Sequence, residues 1–144
     1  MRPLPFVRSR VALVLAIALG ACQGPTGVGE RDARFNGTWD YQAEQAGSTD
    51  IIMGRLLIDG ADIGQLDGSL DAERVDALGG RTAFPGLVSG RVTTSGVARI
   101  ELTVSGGRVR THLAQLRGDS LVGDWVESGN ATRSGRFTAV RVTP

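Results

Sequence analysis

The sequence predicts an all-β protein, an eight-stranded antiparallel up-and-down barrel carried behind an apolar N-terminal segment. Three observations support that fold class. From Phe35 onward, apolar and polar residues alternate in short runs. The linkers between runs are mostly short and carry Gly, Asn or Asp, and an apolar-x-Gly-x-apolar unit recurs in five runs. A side-chain period of two with one polar face is the pattern of a sheet wetted on one side.

The N-terminal segment comes first. Met1 to Arg10 carries Arg2, Arg8 and Arg10, and Val11 to Leu19 is an unbroken apolar run of nine residues. Nine helical residues rise roughly 13 Å, under half of a ~30 Å hydrocarbon core, so the run is too short to span a bilayer. Its length and flanks predict a helical secretory signal peptide over residues 1–21. The next residues, Leu19-Gly20-Ala21-Cys22, resemble the lipobox of bacterial lipoproteins, an aliphatic residue and two small ones before a Cys. That resemblance implies cleavage before Cys22, a diacylglyceryl thioether on its sulfur and N-acylation with a fatty acid such as palmitate. Two or three acyl chains anchor far more firmly than one. The alternative is an ordinary signal peptide with a chance Cys, but the only Cys of the chain falls where the motif demands one. Gln23 replaces the Asp that retains enterobacterial lipoproteins in the inner membrane, so the expected address is the cell envelope, at the outer membrane.

Residues 22–34 comprise the lipidated Cys and a stretch (QGPTGVGERDAR) with almost nothing to bury, which reads as a flexible linker. Residues 35–144 form the expected barrel domain. Eight strands are predicted at roughly 35–43, 49–59, 63–72, 86–94, 96–104, 108–117, 120–127 and 132–142. Hairpin linkers such as Ser95-Gly96, Ser105-Gly106-Gly107 and Gly118-Asp119 separate them. Only 73–85 is long; Ala72 to Leu78 is expected to make one or two helical turns, lying across a barrel mouth. The recurring Gly is expected to face inward and let a small closed sheet bend. Closing eight short-linked strands removes exposed edges; a two-sheet β-sandwich is the alternative.

Gly37-Thr38-Trp39 in the first strand and Arg141 in the last resemble the calycin superfamily of lipocalins, fatty-acid-binding proteins and avidins. The resemblance implies that the Arg141 guanidinium packs on the Trp39 indole and closes one end of the barrel. G-x-W occurs again at Gly123-Asp124-Trp125. A T-D-Y-like motif and a C-terminal helix are absent, and a single Cys allows no intrachain disulfide.

Composition narrows the function classes. The chain has 16 Arg and no Lys; losing Arg2, Arg8 and Arg10 leaves 13 against 15 acidic residues, a charge of −2. A slightly acidic domain without a basic stripe is a poor nucleic-acid binder. His112, the only histidine, shares a strand with Val109, Thr111 and Leu113 but alternates with them, and is expected on the outer face. No G-x-S-x-G elbow accompanies it. Asp59, Asp62, Asp67 and Asp71 do not match a calcium loop and read as a solvated face, so no metal or other cofactor is expected. Glu127 continues the inward register of Leu121, Gly123 and Trp125 and is expected near a mouth. No catalytic constellation emerges, and the chain reads as a non-enzyme.

Two functions remain open. In the first, the lipid-anchored barrel holds a small hydrophobic ligand lined by Leu70, Ile100, Leu102, Leu113, Trp125 and Phe137. In the second, the barrel is solid and its loops contact an envelope protein or inhibit a lysozyme or protease, with Arg74, Arg81 and Phe84-Pro85 as the contact surface.

Overall fold

A computed structural model describes residues 33–60, 64–129 and 132–143. Cys22, the signal peptide and the linker lie outside the described residues. The strands are β1 (Gly37–Gln45), β2 (Ile51–Asp59), β3 (Gln65–Val75), β4 (Arg81–Ala83), β5 (Gly86–Val92), β6 (Val97–Val104), β7 (Arg108–Arg117), β8 (Ser120–Glu127) and β9 (Arg133–Arg141). Every pairing is antiparallel, and each long strand pairs with its two neighbours in the ring β1-β2-β3-β5-β6-β7-β8-β9. The β1–β9 pairing, Trp39 opposite Arg141 to Gln45 opposite Gly135, closes the ring. The molecule is a closed eight-stranded barrel, and the sandwich arrangement is ruled out.

Alternation sorts the side chains as the pattern requires. Trp39, Tyr41 and Ala43 of β1 point inward, as do Leu66, Leu70 and Ala72 of β3 and Ala98, Ile100, Leu102 and Val104 of β6. One contiguous apolar core fills the barrel, and each apolar side chain withdrawn from water contributes about 1.5–3 kcal/mol. Turn chemistry sets the register: Gly106 and Gly107 have φ of +82° and +72°, which suits the tight β6–β7 hairpin. Within the wall, a Cβ at Gly123 would lie 1.8 Å from the Leu113 carbonyl oxygen, so this inward glycine marks a bend no other residue fits.

Segment 73–85 departs from expectation. It forms no helical turn: β3 runs on to Val75, supported by Ile51 and Met53 of β2, and then folds back as β4. Asp76 drives the reversal, because its Oδ1 accepts from the Leu78 and Gly80 amides and so favours a turn over a helix. β4 has three residues, all exposed, and pairs only with β3. Beyond it the Phe84 amide donates to the Ala72 carbonyl (2.7 Å), and the Phe84 ring is buried.

Candidate functional site

The strand order gives the barrel two distinct ends. Trp39, at the start of β1, and Arg141, at the end of β9, lie at one of them. The Arg141 guanidinium carbon stands 4.1 Å from the Trp39 ring centroid. Its Nη1 donates to the Asn36 carbonyl (2.7 Å) and its Nη2 to the Arg34 carbonyl (2.5 Å). Trp39 is fully buried and its Nε1 donates to the Phe35 carbonyl at 3.1 Å. Gly37, at φ +133°, gives the guanidinium passage, since a Cβ there would meet Arg141 Nη1 at 2.7 Å. This end is a plug in which both Nη groups of Arg141 end on backbone carbonyls.

The opposite end repeats the Arg-on-Trp pairing with different residues. Arg110 of β7 has its guanidinium carbon 4.3 Å from the Trp125 centroid and 4.6 Å from that of Phe84. Trp125 is the tryptophan of the second G-x-W; its Nε1 donates to the Glu44 carbonyl, and Gly135 leaves it room. Arg110 pairs directly across β7–β8 with Glu127, and its Nε donates to Glu127 Oε2 at 2.5 Å. Oε1 of the same carboxylate accepts from Arg108 Nη1 at 3.2 Å and has Arg133 at 4.0 Å.

Arg110 has 0% of its surface exposed, yet its Nη1 and Nη2 make no hydrogen bond among the described residues. Each buried donor left unpaired costs about 1–3 kcal/mol, more when charged. Burial lowers the Arg110 pKa, opposed by the bond to Glu127 and its charge. For Glu127 burial acts to raise the pKa, but the Arg110 bond and the charges of Arg110, Arg108 and Arg133 prevail and lower it. Glu127 is thus held as the carboxylate partner of the guanidinium.

Deeper in the same half, His112 Nε2 lies 2.8 Å from the Tyr41 hydroxyl, and its Nδ1 faces the Arg110 carbonyl at 3.4 Å. A carbonyl only accepts, so Nδ1 carries the proton and Nε2 accepts from the tyrosine. Burial drives the His112 pKa down to about 3 and raises that of Tyr41. Phe137 meets the imidazole edge-on at 4.8 Å and stacks on Tyr41 at 5.9 Å.

Several expectations are corrected here. His112 is 1% exposed and faces the interior, whereas Leu113 is 54% exposed, faces solvent and lines nothing. The strand runs polar-in at Arg110 and His112, because Glu127 and Tyr41 satisfy those side chains from other strands. Ala114 and Leu116 share the parity of His112, and Gln115 and Arg117 that of Leu113; they were the signal of the true phase. Leu70, Ile100, Leu102, Trp125 and Phe137 do face inward, but they are packed against one another and their neighbours. Walls of a ligand-sized lumen would retain accessible surface, and none of these exposes more than 3%. Phe84 is not a contact surface but a buried cover over Arg110.

Asp59, Asp67 and Asp71 remain exposed, and Asp62 lies outside the described residues. A concavity of about 630 Å³ on the outer wall is lined by Asp40, Arg55, Glu73 and Arg81, among others. Two ion pairs bridge it, Arg55–Asp40 and Arg81–Glu73, both at 2.8 Å, and Asp71 adds a further carboxylate.

No protein-family model and no curated protein matches the chain in sequence. Solved structures match its fold, that of a compact closed β-barrel. EF1p2_mFAP2b bound to DFHBI superposes with a TM-score of 0.66 at 13% identity, over 80% of this chain and 99% of that one. A de novo designed fluorescence-activating β-barrel gives 0.61 at 18% identity, over 77% and 98%. Bradavidin2, in complex with biotin, gives 0.55 at 15% identity, over 75% and 98%.

Proposed function

We propose that this chain is a lipid-anchored protein of the bacterial envelope whose barrel is a non-catalytic binding module for a small ligand. Residues 1–21 are its signal peptide and Cys22 its lipid attachment point, the outer membrane its most fitting address, and residues 35–144 the module. The observation that carries the binding role is Arg110, a fully buried cation with two unpaired donors beside a mouth. The bound DFHBI and biotin of the similar barrels lend support from the fold. Because the interior is packed, the ligand is taken at the mouth rather than in a standing lumen, and the mouth adjusts to admit it.

A second reading, a solid barrel that docks an envelope protein through its hairpin, draws on the packed interior and on Leu78, 97% exposed at the β3–β4 tip. Native mass spectrometry of the detergent-solubilised mature protein separates the two. A co-purifying small molecule, lost on mild activation, is expected. A ligand-free spectrum that stays so after incubation with envelope extract favours the docking reading. The same spectrum reports the acyl mass on Cys22, which Cys22→Ser abolishes together with membrane association.

A further inference from the structure

The chemistry of that ligand can be narrowed from the mouth itself, and the narrowing rests on the binding role proposed above. Glu127 has both oxygens committed, Oε2 to Arg110 and Oε1 to Arg108 with Arg133 nearby. Neither oxygen accepts from Nη1 or Nη2 of Arg110. The flanking Phe84 and Trp125 rings balance charge but do not replace oxygen acceptors along that edge. Three guanidinium groups, Arg108, Arg110 and Arg133, stand around one carboxylate, and a fourth, Arg74, lies 5.8 Å from the centroid of the Phe84 ring that covers Arg110. The mouth is thus strongly cationic on a domain that is slightly acidic as a whole, and its low-dielectric walls focus the field.

Access is built into the fold. Phe84 covers Arg110 from a segment whose only strand, β4, is three residues long and held along one edge by β3. Such a singly paired, exposed strand opens at little cost compared with the barrel wall.

We propose that the Arg110 mouth is a carboxylate site: a small monoanion with an apolar body docks its two oxygens on Nη1 and Nη2 when the Phe84 segment lifts. The planar fork of the guanidinium edge matches a carboxylate in two parallel hydrogen bonds, and the aromatic flanks suit the apolar body.

Benzoate, its neutral counterpart benzamide and inorganic phosphate are the probes, titrated into the full mature protein. Binding is followed by calorimetry and by the arginine side-chain NMR resonances. Benzoate is expected to saturate, to shift the Arg110 Nη signals and to bind about tenfold or more tighter than benzamide. Arg110→Lys, which keeps the charge but loses the fork, is expected to lose about tenfold of the benzoate affinity. Should that variant not fold, Arg133→Gln, at a partly exposed position, serves instead, and a lower benzoate affinity with a weaker salt dependence is expected. Equal binding of benzoate and benzamide overturns the carboxylate assignment and leaves small-molecule binding standing. Phosphate tighter than benzoate overturns it too. Binding of none of the three, with the Nη signals unmoved, overturns the carboxylate site, while a co-purifying neutral molecule in the mass spectrum would still uphold the binding role.

Discussion

The two ends of this barrel are built from the same pair of side chains and differ in what is left over. At one end Arg141 lies on Trp39 and donates to the carbonyls of Arg34 and Asn36. At the other, Arg110 lies on Trp125, is tied by Nε to Glu127, and keeps Nη1 and Nη2 unpaired. Both tryptophans follow a glycine by two residues, and both sites need a glycine to make room, Gly37 for Arg141 and Gly135 for Trp125. Cation–π stacking is thus a shared structural device. The hydrogen-bond inventory separates a closure, where both Nη groups end on backbone carbonyls, from a site, where both Nη groups remain for something else.

That contrast breaks first at Glu127. Glu127→Gln leaves Arg110 buried without a counter-charge, and a loss of about 3–5 kcal/mol in chemical denaturation is expected. A loss under about 1 kcal/mol would mean that Arg110 reaches water and that the mouth is wetter than its burial implies. Next is the plug: Arg141→Ala removes two charge-assisted bonds and a cation–π contact, for about 2–3 kcal/mol. Its larger signature should be loss of amide-exchange protection near Phe35 and Trp39, with the mouth unaffected.

Acid should act on the mouth half. The folded His112 pKa is depressed to about 3 from an ordinary 6.5, so the unfolded chain takes up the proton first as pH falls. Stability is complete above about pH 6.5 and declines toward pH 3, by at most about 1.4 kcal/mol per unit. Glu127, also depressed, adds to the decline below its ordinary 4.5. Thermal melts across this range should show the slope, and His112→Gln should flatten its upper part. The smallest effect belongs to Arg108→Gln: Arg108 is 40% exposed in its ion pair, so under about 1 kcal/mol is expected.

The architecture was legible because each wall strand is decided locally. Alternation in Leu66 to Ala72 or Ala98 to Val104 needs only neighbouring residues and a turn to be read, and Trp39 with Arg141 forms a recognisable signature. The mouth was not legible, since its polar residues are inside for reasons that lie far along the chain. Arg110 is matched by Glu127, 17 residues on, and His112 by Tyr41, 71 residues back. Local periodicity treats them as surface residues and so reversed β7, putting Leu113 inside. The 73–85 segment failed for a related reason: its strand character comes from pairing with Ile51 and Met53, while its own composition allowed a helix.

The Arg141 clamp also fixes a direction. By holding the carbonyls of Arg34 and Asn36, it makes the polypeptide leave the barrel at the plugged end. With Cys22 as the proposed anchor, 11 residues (23–33) separate it from Arg34. On that proposal the tether joins the domain at its plugged end, opposite the Arg110 mouth.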